Sequence, residues 1–264
     1  MTIGSASTIV ITGATSGIGR ALALDYAGKG VVMGLIGRDD ARMTAIAEAC
    51  RAKGASVETA LIDVRDKVAM SDFLIAFDGK NPVDLVIASA GVNIGTGSDG
   101  TLENDAKTVE LTHINVCGVF NTVQPLLPAM RARRSGQIGI VSSLSAFTPL
   151  PDAPAYSASK AALLAYAKAL REKLRNDGLK VNAICPGFVT TPLSTSYRGW
   201  KPFEMSAAQA AVRIRRGLAA NNRVIAFPLP LTLVAYSLGL LPEALGRLCL
   251  KLFCFTVTDQ RVRL

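Results

Sequence analysis

Tyr156 and Lys160 are four residues apart. Four residues is about one helical turn, so on a helix the two side chains share a face. An ammonium beside a phenol favours the phenolate, and a side chain with a reference pKa of about 10 can then exchange protons near neutrality. Thirteen residues before the tyrosine, Ser143 offers a hydroxyl that could hold the oxygen of a carbonyl or an alcohol. Few other residues can move a proton. The single histidine, His113, leaves no basis for a His-based triad or a multi-His metal site, so no metal is expected, and His113 itself is expected to pack or to face water. Cys50, Cys117, Cys185, Cys249 and Cys254 are odd in number, scattered and without paired-thiol spacing. They read as core residues of a reduced, cytoplasmic protein.

Any such site needs a scaffold. The chain has 264 residues, half of them hydrophobic, a net charge of +9 and a mean hydropathy of +0.33. That length suits one large α/β domain or two small ones. The basic clusters Arg131, Arg133, Arg134 and Arg213, Arg215, Arg216 read as solvated helix ends, and no block tracks a nucleic-acid backbone. The N-terminus lacks the charged and apolar regions of a signal peptide, and no apolar run reaches the ~20 residues of a spanning helix.

Strands and helices alternate along the chain. Strands are expected at residues 8–12, 31–36, 57–62, 84–88, 137–141, 180–184 and 223–227, with helices at 20–29, 41–53, near 67–77, 102–130 and 156–176. This rhythm implies a Rossmann-like, doubly wound parallel sheet in a single catalytic domain over residues 1–227. Between the first strand and its helix lies Gly13-Ala14-Thr15-Ser16-Gly17-Ile18-Gly19. Glycines there let the backbone turn tightly and approach a pyrophosphate, while the helix start offers free N–H groups. The second strand ends at Gly37-Arg38-Asp39. An arginine at that point suits a 2′-phosphate, and Asp39 reads as the cap of the next helix. Asp63, at the end of the third strand, either accepts from an adenine amino group or caps the helix near Lys67. Asn115, in mid-helix where an amide is poor for stability, hints at function. The irregular segment 188–205, with Tyr197 and Trp200, is expected to cover a site as a lid.

The C-terminal extension, residues 228–264, departs from the rhythm. Its Leu-rich stretch 231–255 admits two readings. One is a helical hairpin packing on the body or on a twin subunit. The other is an amphipathic element making peripheral contact with the inner face of a membrane.

Four separated features, Thr12-Gly13-x-x-x-Gly17-x-Gly19, Asn115, Ser143 and Tyr156-x-x-x-Lys160, together resemble the short-chain dehydrogenase/reductase family over roughly residues 7–227. The resemblance implies an NAD(P)-dependent enzyme interconverting a carbonyl and a secondary alcohol by hydride transfer. It makes Tyr156 the general acid/base, Ser143 the holder of the substrate oxygen, and Lys160 the group that binds the nicotinamide ribose and lowers the tyrosine pKa. Asn115 would anchor a water in the proton relay. It implies pyrophosphate binding at Gly13, Thr15, Ser16, Gly17, Ile18 and Gly19, and an adenine contact at Asp63 and Val64. Ala90 and Gly91 would lie against the cofactor, and Pro186, Gly187, Val189 and Thr191 would hold the nicotinamide carboxamide. The family's Asn-Asn-Ala-Gly reads Ala88-Ser89-Ala90-Gly91 here, and Ser16 stands where many NADP-using relatives have a basic residue. NADP(H), rather than NAD(H), is therefore expected on Arg38 alone. The apolar lid and tail lean towards a hydrophobic or lipid-like ketone, with a sugar intermediate of surface-polysaccharide synthesis as the alternative. A non-catalytic NADP(H) sensor or scaffold is a further alternative, disfavoured because the tyrosine and the lysine are both kept. A homo-oligomer is expected, a dimer rather than the family's usual tetramer.

Overall fold

The computed structural model describes residues 6–96, 101–238 and 255–257. Strand β1 (Thr8–Thr12) is wholly buried, as its β-branched run requires. It lies third from one edge of a seven-stranded parallel sheet. On one side come β2 (Val32–Gly37) and β3 (Ser56–Leu61). On the other come β4 (Leu85–Ala88), β5 (Gln137–Val141), β6 (Lys180–Pro186) and finally β10 (Val224–Phe227). The chain leaves β3 at one edge and returns beside β1 as β4. Strand order thus reverses between β1 and β4, and a crevice opens there at the carboxyl ends of the strands.

Both sheet faces are covered. One core packs α1 (Gly17–Tyr26), α2 (Asp40–Ala52) and α8 (Ala207–Ala219) on the sheet. The other takes α3 (Lys67–Lys80), α7 (Pro154–Leu174) and the helical run between β4 and β5. Asp39 caps α2 by accepting from Arg42 N at 2.9 Å, as expected. The cap of α3 is Asp66, which accepts from Val68 N and Ala69 N, so Asp63 is free of that task.

Four expectations are corrected. The helical pattern of 102–130 is not one helix. It divides into α4 (Asp105–Thr112), a π turn (His113–Cys117), α5 (Gly118–Val123), a 3₁₀ turn (Gln124–Leu126) and α6 (Leu127–Ala132). Pro125 and Pro128 are the second residues of the 3₁₀ turn and of α6, in first turns where a missing N–H costs least. Cys117 is exposed, whereas Cys50 and Cys185 are buried; Cys249 and Cys254 lie outside the described residues. Arg133 is not a solvated helix end: its guanidinium makes two 2.8 Å bonds to buried Asp78 and a third to Val83 O. The segment 188–205 carries ordered pairings: β7 (Val189–Thr190) pairs in parallel with β9 (Met205–Ser206). His113 faces water.

Of the tail, α9 (Leu229–Leu238) follows β10, and β11 (Phe255–Val257) pairs antiparallel with β8 (Tyr197–Gly199) in the segment expected to be a lid. The rest of 231–255 lies outside the described residues. No helix among the described residues is long and apolar enough to cross a membrane, and no acidic, Cys or His cluster among them could hold a metal ion.

Candidate active site

Helix α7 brings Tyr156 and Lys160 to the carboxyl end of β5, both buried at 8 % and 5 % exposure. Two bonds stitch helix to strand. Ser142 Oγ donates to Lys160 O at 2.7 Å, and Lys160 Nζ donates to Val141 O at 3.0 Å. The ammonium lies 5.5 Å from the centre of the Tyr156 ring. Ser143 Oγ accepts from Ser145 N at 3.1 Å, which fixes the hydroxyl beside the phenol.

Burial governs the charges. It pushes the Tyr156 phenol up to about 12, although a hydrogen bond from Ser143 pulls the other way. It lowers Lys160 to about 8, opposed by Cys185. Cys185 itself is pushed up to about 12 by burial, against a hydrogen bond from Ser142. Without further positive charge the phenol is thus held protonated, the reverse of what an adjacent ammonium alone would give.

Asn115 is wholly buried in the π turn. Its Oδ1 accepts from Val92 N at 2.8 Å, and its Nδ2 donates to Val92 O at 3.0 Å and to Ser159 Oγ at 3.1 Å. Ser159 Oγ in turn donates to Tyr156 O at 2.7 Å. The amide therefore clamps the loop after β4 to α7. A π turn is a common mark of a functional site, because the extra residue redirects side chains that an α-helix would carry elsewhere.

The glycine turn meets the crevice from β1. Gly13 has φ +69°, and a Cβ there would come within 2.9 Å of Ala90 Cα. Gly17 has φ +53° and faces Thr191. Both positions thus require glycine for conformation, and Gly13 for closeness as well. Helix α1 starts with no side-chain cap and no acidic residue in its first turn, which leaves its N–H groups for an anion. These features fit a dinucleotide. Ser16, Ile18 and Gly19 line the same cleft, and Ala90 and Gly91 form its floor. Thr12 Oγ1 accepts from Ser89 N at 3.1 Å and Ala90 N at 3.4 Å, and so holds the turn after β4.

At the far end Gly37 makes room for Thr15, whose methyl a Cβ would meet at 2.7 Å. Arg38, with its side chain 40 % exposed, bonds Asp63 at 3.0 Å, and Arg65 bonds Asp63 at 2.7 Å. Burial would raise the Asp63 carboxyl, but Arg65 and Arg38 overrule it and bring it to about 2. Val64 is buried, and its carbonyl accepts from Asn121 Nδ2 at 2.8 Å.

One cleft of about 1380 Å³, counted to its open mouth, joins the glycine turn to Ser143, Tyr156 and Lys160. Pro186, Gly187, Val189 and Thr191 line it as well. Thr15, Arg38, Asp63, Val64 and Asn115 do not line it: Asn115 stands behind Gly91, Thr15, Arg38 and Asp63 lie at the glycine turn's far end, and Val64 packs against Gly118 of α5. Sequence reasoning missed its outer wall, which α9 supplies through Leu231, Val234, Ala235 and Leu238. Thr148 Oγ1 donates to Ala235 O at 2.6 Å, and the Phe147 and Tyr236 rings stack at 4.3 Å, so α9 is fastened to the loop after Ser143. The available signal was the i, i+3, i+4, i+7 spacing of Leu231, Val234, Ala235 and Leu238 just after the last strand, which puts them on one helix face.

A match to the short chain dehydrogenase family spans residues 7–202. An uncharacterized oxidoreductase of Myxococcus xanthus is 34 % identical over 239 residues, covering 90 % of this chain and 94 % of its own. Among solved structures, an L-sorbose reductase of Gluconobacter frateurii complexed with NADPH and L-sorbose is 25 % identical at TM-score 0.73, covering 86 % of this chain and 95 % of its own. A variant of the actinorhodin polyketide ketoreductase with NADPH is 26 % identical at TM-score 0.73, covering 85 % and 95 %.

Proposed function

The chain belongs to the short-chain dehydrogenase family and is an oxidoreductase of the NAD(P)-using kind, and on that premise we propose that it reduces an apolar, lipid-like ketone with NADPH. The observation that carries this reading is the buried Tyr156, held protonated on α7 across from Ser143 at the foot of an apolar-walled cleft. When bound, the nicotinamide exchanges hydride with the substrate carbon, and its oxidised ring is positive. Ser143 holds the carbonyl oxygen. Tyr156, kept neutral by burial, gives its proton to the oxygen as alkoxide character develops, and takes it back in the reverse direction. A neutral phenol is the form that carbonyl reduction consumes. Lys160 binds the ribose from the floor of the cleft, and its ammonium stabilises the phenolate once formed. The Asn115 amide is committed to Val92 and Ser159, so Asn115 serves the relay through the backbone of its π turn, beside Lys160. Arg38 swings from Asp63 to a 2′-phosphate, and the glycine turn with the start of α1 takes the pyrophosphate.

The four α9 side chains are alkyl or methyl groups. Each methylene that a substrate buried there would add about 0.8 kcal/mol of affinity. The experiment is NADPH oxidation, read by absorbance, over a panel of alkyl ketones and ketoses. Tyr156→Phe should keep NADPH binding and lose turnover by about 10³-fold or more. Wild-type turnover by that variant would sink the acid/base assignment. Turnover of ketoses with none of the alkyl ketones would replace the lipid-like substrate by a sugar.

A further inference from the structure

Catalytic helix α7 begins without a cap of its own. Its N-cap residue is Ala153, which has no side-chain acceptor, and Pro154 takes the first helical position. Proline has no N–H, so the first donor left over is that of Ala155, next to Tyr156. Glu103 takes it from 52 residues away, with Ala155 N donating to its two carboxylate oxygens at 3.0 Å and 3.3 Å. A carboxylate there satisfies the orphan donor and faces the positive end of the helix.

Glu103 stands beside a second cap. Asn104 accepts from Lys107 N at 3.1 Å and opens α4, the helix that runs into the π turn of Asn115. Two consecutive residues therefore hold the starts of the two helices that deliver Asn115, Tyr156 and Lys160. The same pair of loops is tied again by Thr96 N donating to Asp152 O at 3.0 Å. We propose that Glu103 is a positioning residue for the reaction: it fixes the first turn of α7 and, through it, the Tyr156 hydroxyl against Ser143. This rests on the acid/base reading of Tyr156.

The full chain carries the test. In Glu103→Ala, kcat should fall about tenfold, since small misplacements of a reacting group cost that much or more. NADPH affinity should stay at the wild-type value, because the cofactor's anchoring end is untouched. Amide deuterium uptake in the peptide covering residues 154–160 should rise. Glu103→Gln, which keeps an acceptor oxygen, should retain most of kcat. Adding Ala153→Ser to Glu103→Ala supplies a local cap and should restore both kcat and exchange protection. The proposal is overturned if Glu103→Ala has wild-type kcat with unchanged exchange, if NADPH affinity falls in proportion to kcat, or if neither Gln nor the added serine restores the loss. Tyr156→Phe run alongside separates the two claims: an active Tyr156→Phe removes the acid/base reading, while the exchange data still report on the cap.

Discussion

Replacing Lys160 by methionine should leave the protein at least as stable near pH 7 and cost it its turnover. The lysine is 5 % exposed, and burial lowers its pKa from 10.5 to about 8. A depressed cation is unfavourable in its charged form: relative to the neutral amine, stability is whole above pH 10.5 and is lost as pH falls towards about 8. Near pH 7 the loss is about 3 kcal/mol. Methionine fills the same space without the charge, but it leaves Val141 O without the 3.0 Å bond from Nζ, a cost of about 1–3 kcal/mol. The balance runs from neutral to a gain of about 2 kcal/mol for Lys160→Met. The pH dependence is the sharper test. Between about pH 7 and about pH 9.5 the wild type should recover about 2 kcal/mol that the variant cannot, shrinking the variant's Tm margin by about 4 °C. The raised Tyr156 group is common to both proteins, and Cys185, already pushed up to about 12 and pushed further up when the Lys160 charge is removed, stays neutral over this pH range in both. Thermal melts at three pH values, at constant ionic strength, measure it. A margin that stays flat or widens with pH would refute the idea that a buried ammonium is held at this site against its own solvation.

Arg38→Ala should weaken NADPH binding about tenfold or more with NADH little changed, read by fluorescence titration, because one charge-assisted contact to a 2′-phosphate is lost. Equal affinities before and after would take away the argument for NADPH. Val234→Asp puts a carboxylate on the apolar wall made by α9, and the ratio of kcat/KM for an eight-carbon over a four-carbon ketone should fall about tenfold. An unchanged ratio would show that the substrate chain runs elsewhere.

The parts of this molecule that were legible in its sequence are those fixed by short-range rules. The glycine turn could be read because Gly13 and Gly17 need a left-handed backbone, and Gly13 also a neighbour too close for any side chain. Asn115 could be found because an amide in mid-helix is out of place, although only the structure reveals the π turn that makes room for it. What stayed hidden depends on distant partners. Nothing near Glu103 in sequence says that it caps a helix 52 residues on, and nothing near Arg133 names buried Asp78 as its mate. The same limit explains the sign of the Tyr156 shift. The i, i+4 spacing places an ammonium one turn away, but what sets the phenol is burial, which comes from the whole fold and raises it to about 12 against a hydrogen bond from Ser143. Burial is the larger effect at a fully enclosed phenol, because desolvation acts on the whole phenolate while Lys160 points its ammonium at Val141 O instead. The cleft therefore holds, before any ligand arrives, a neutral phenol beside a suppressed cation. Positive charge entering the cleft lowers the phenol towards neutral exchange.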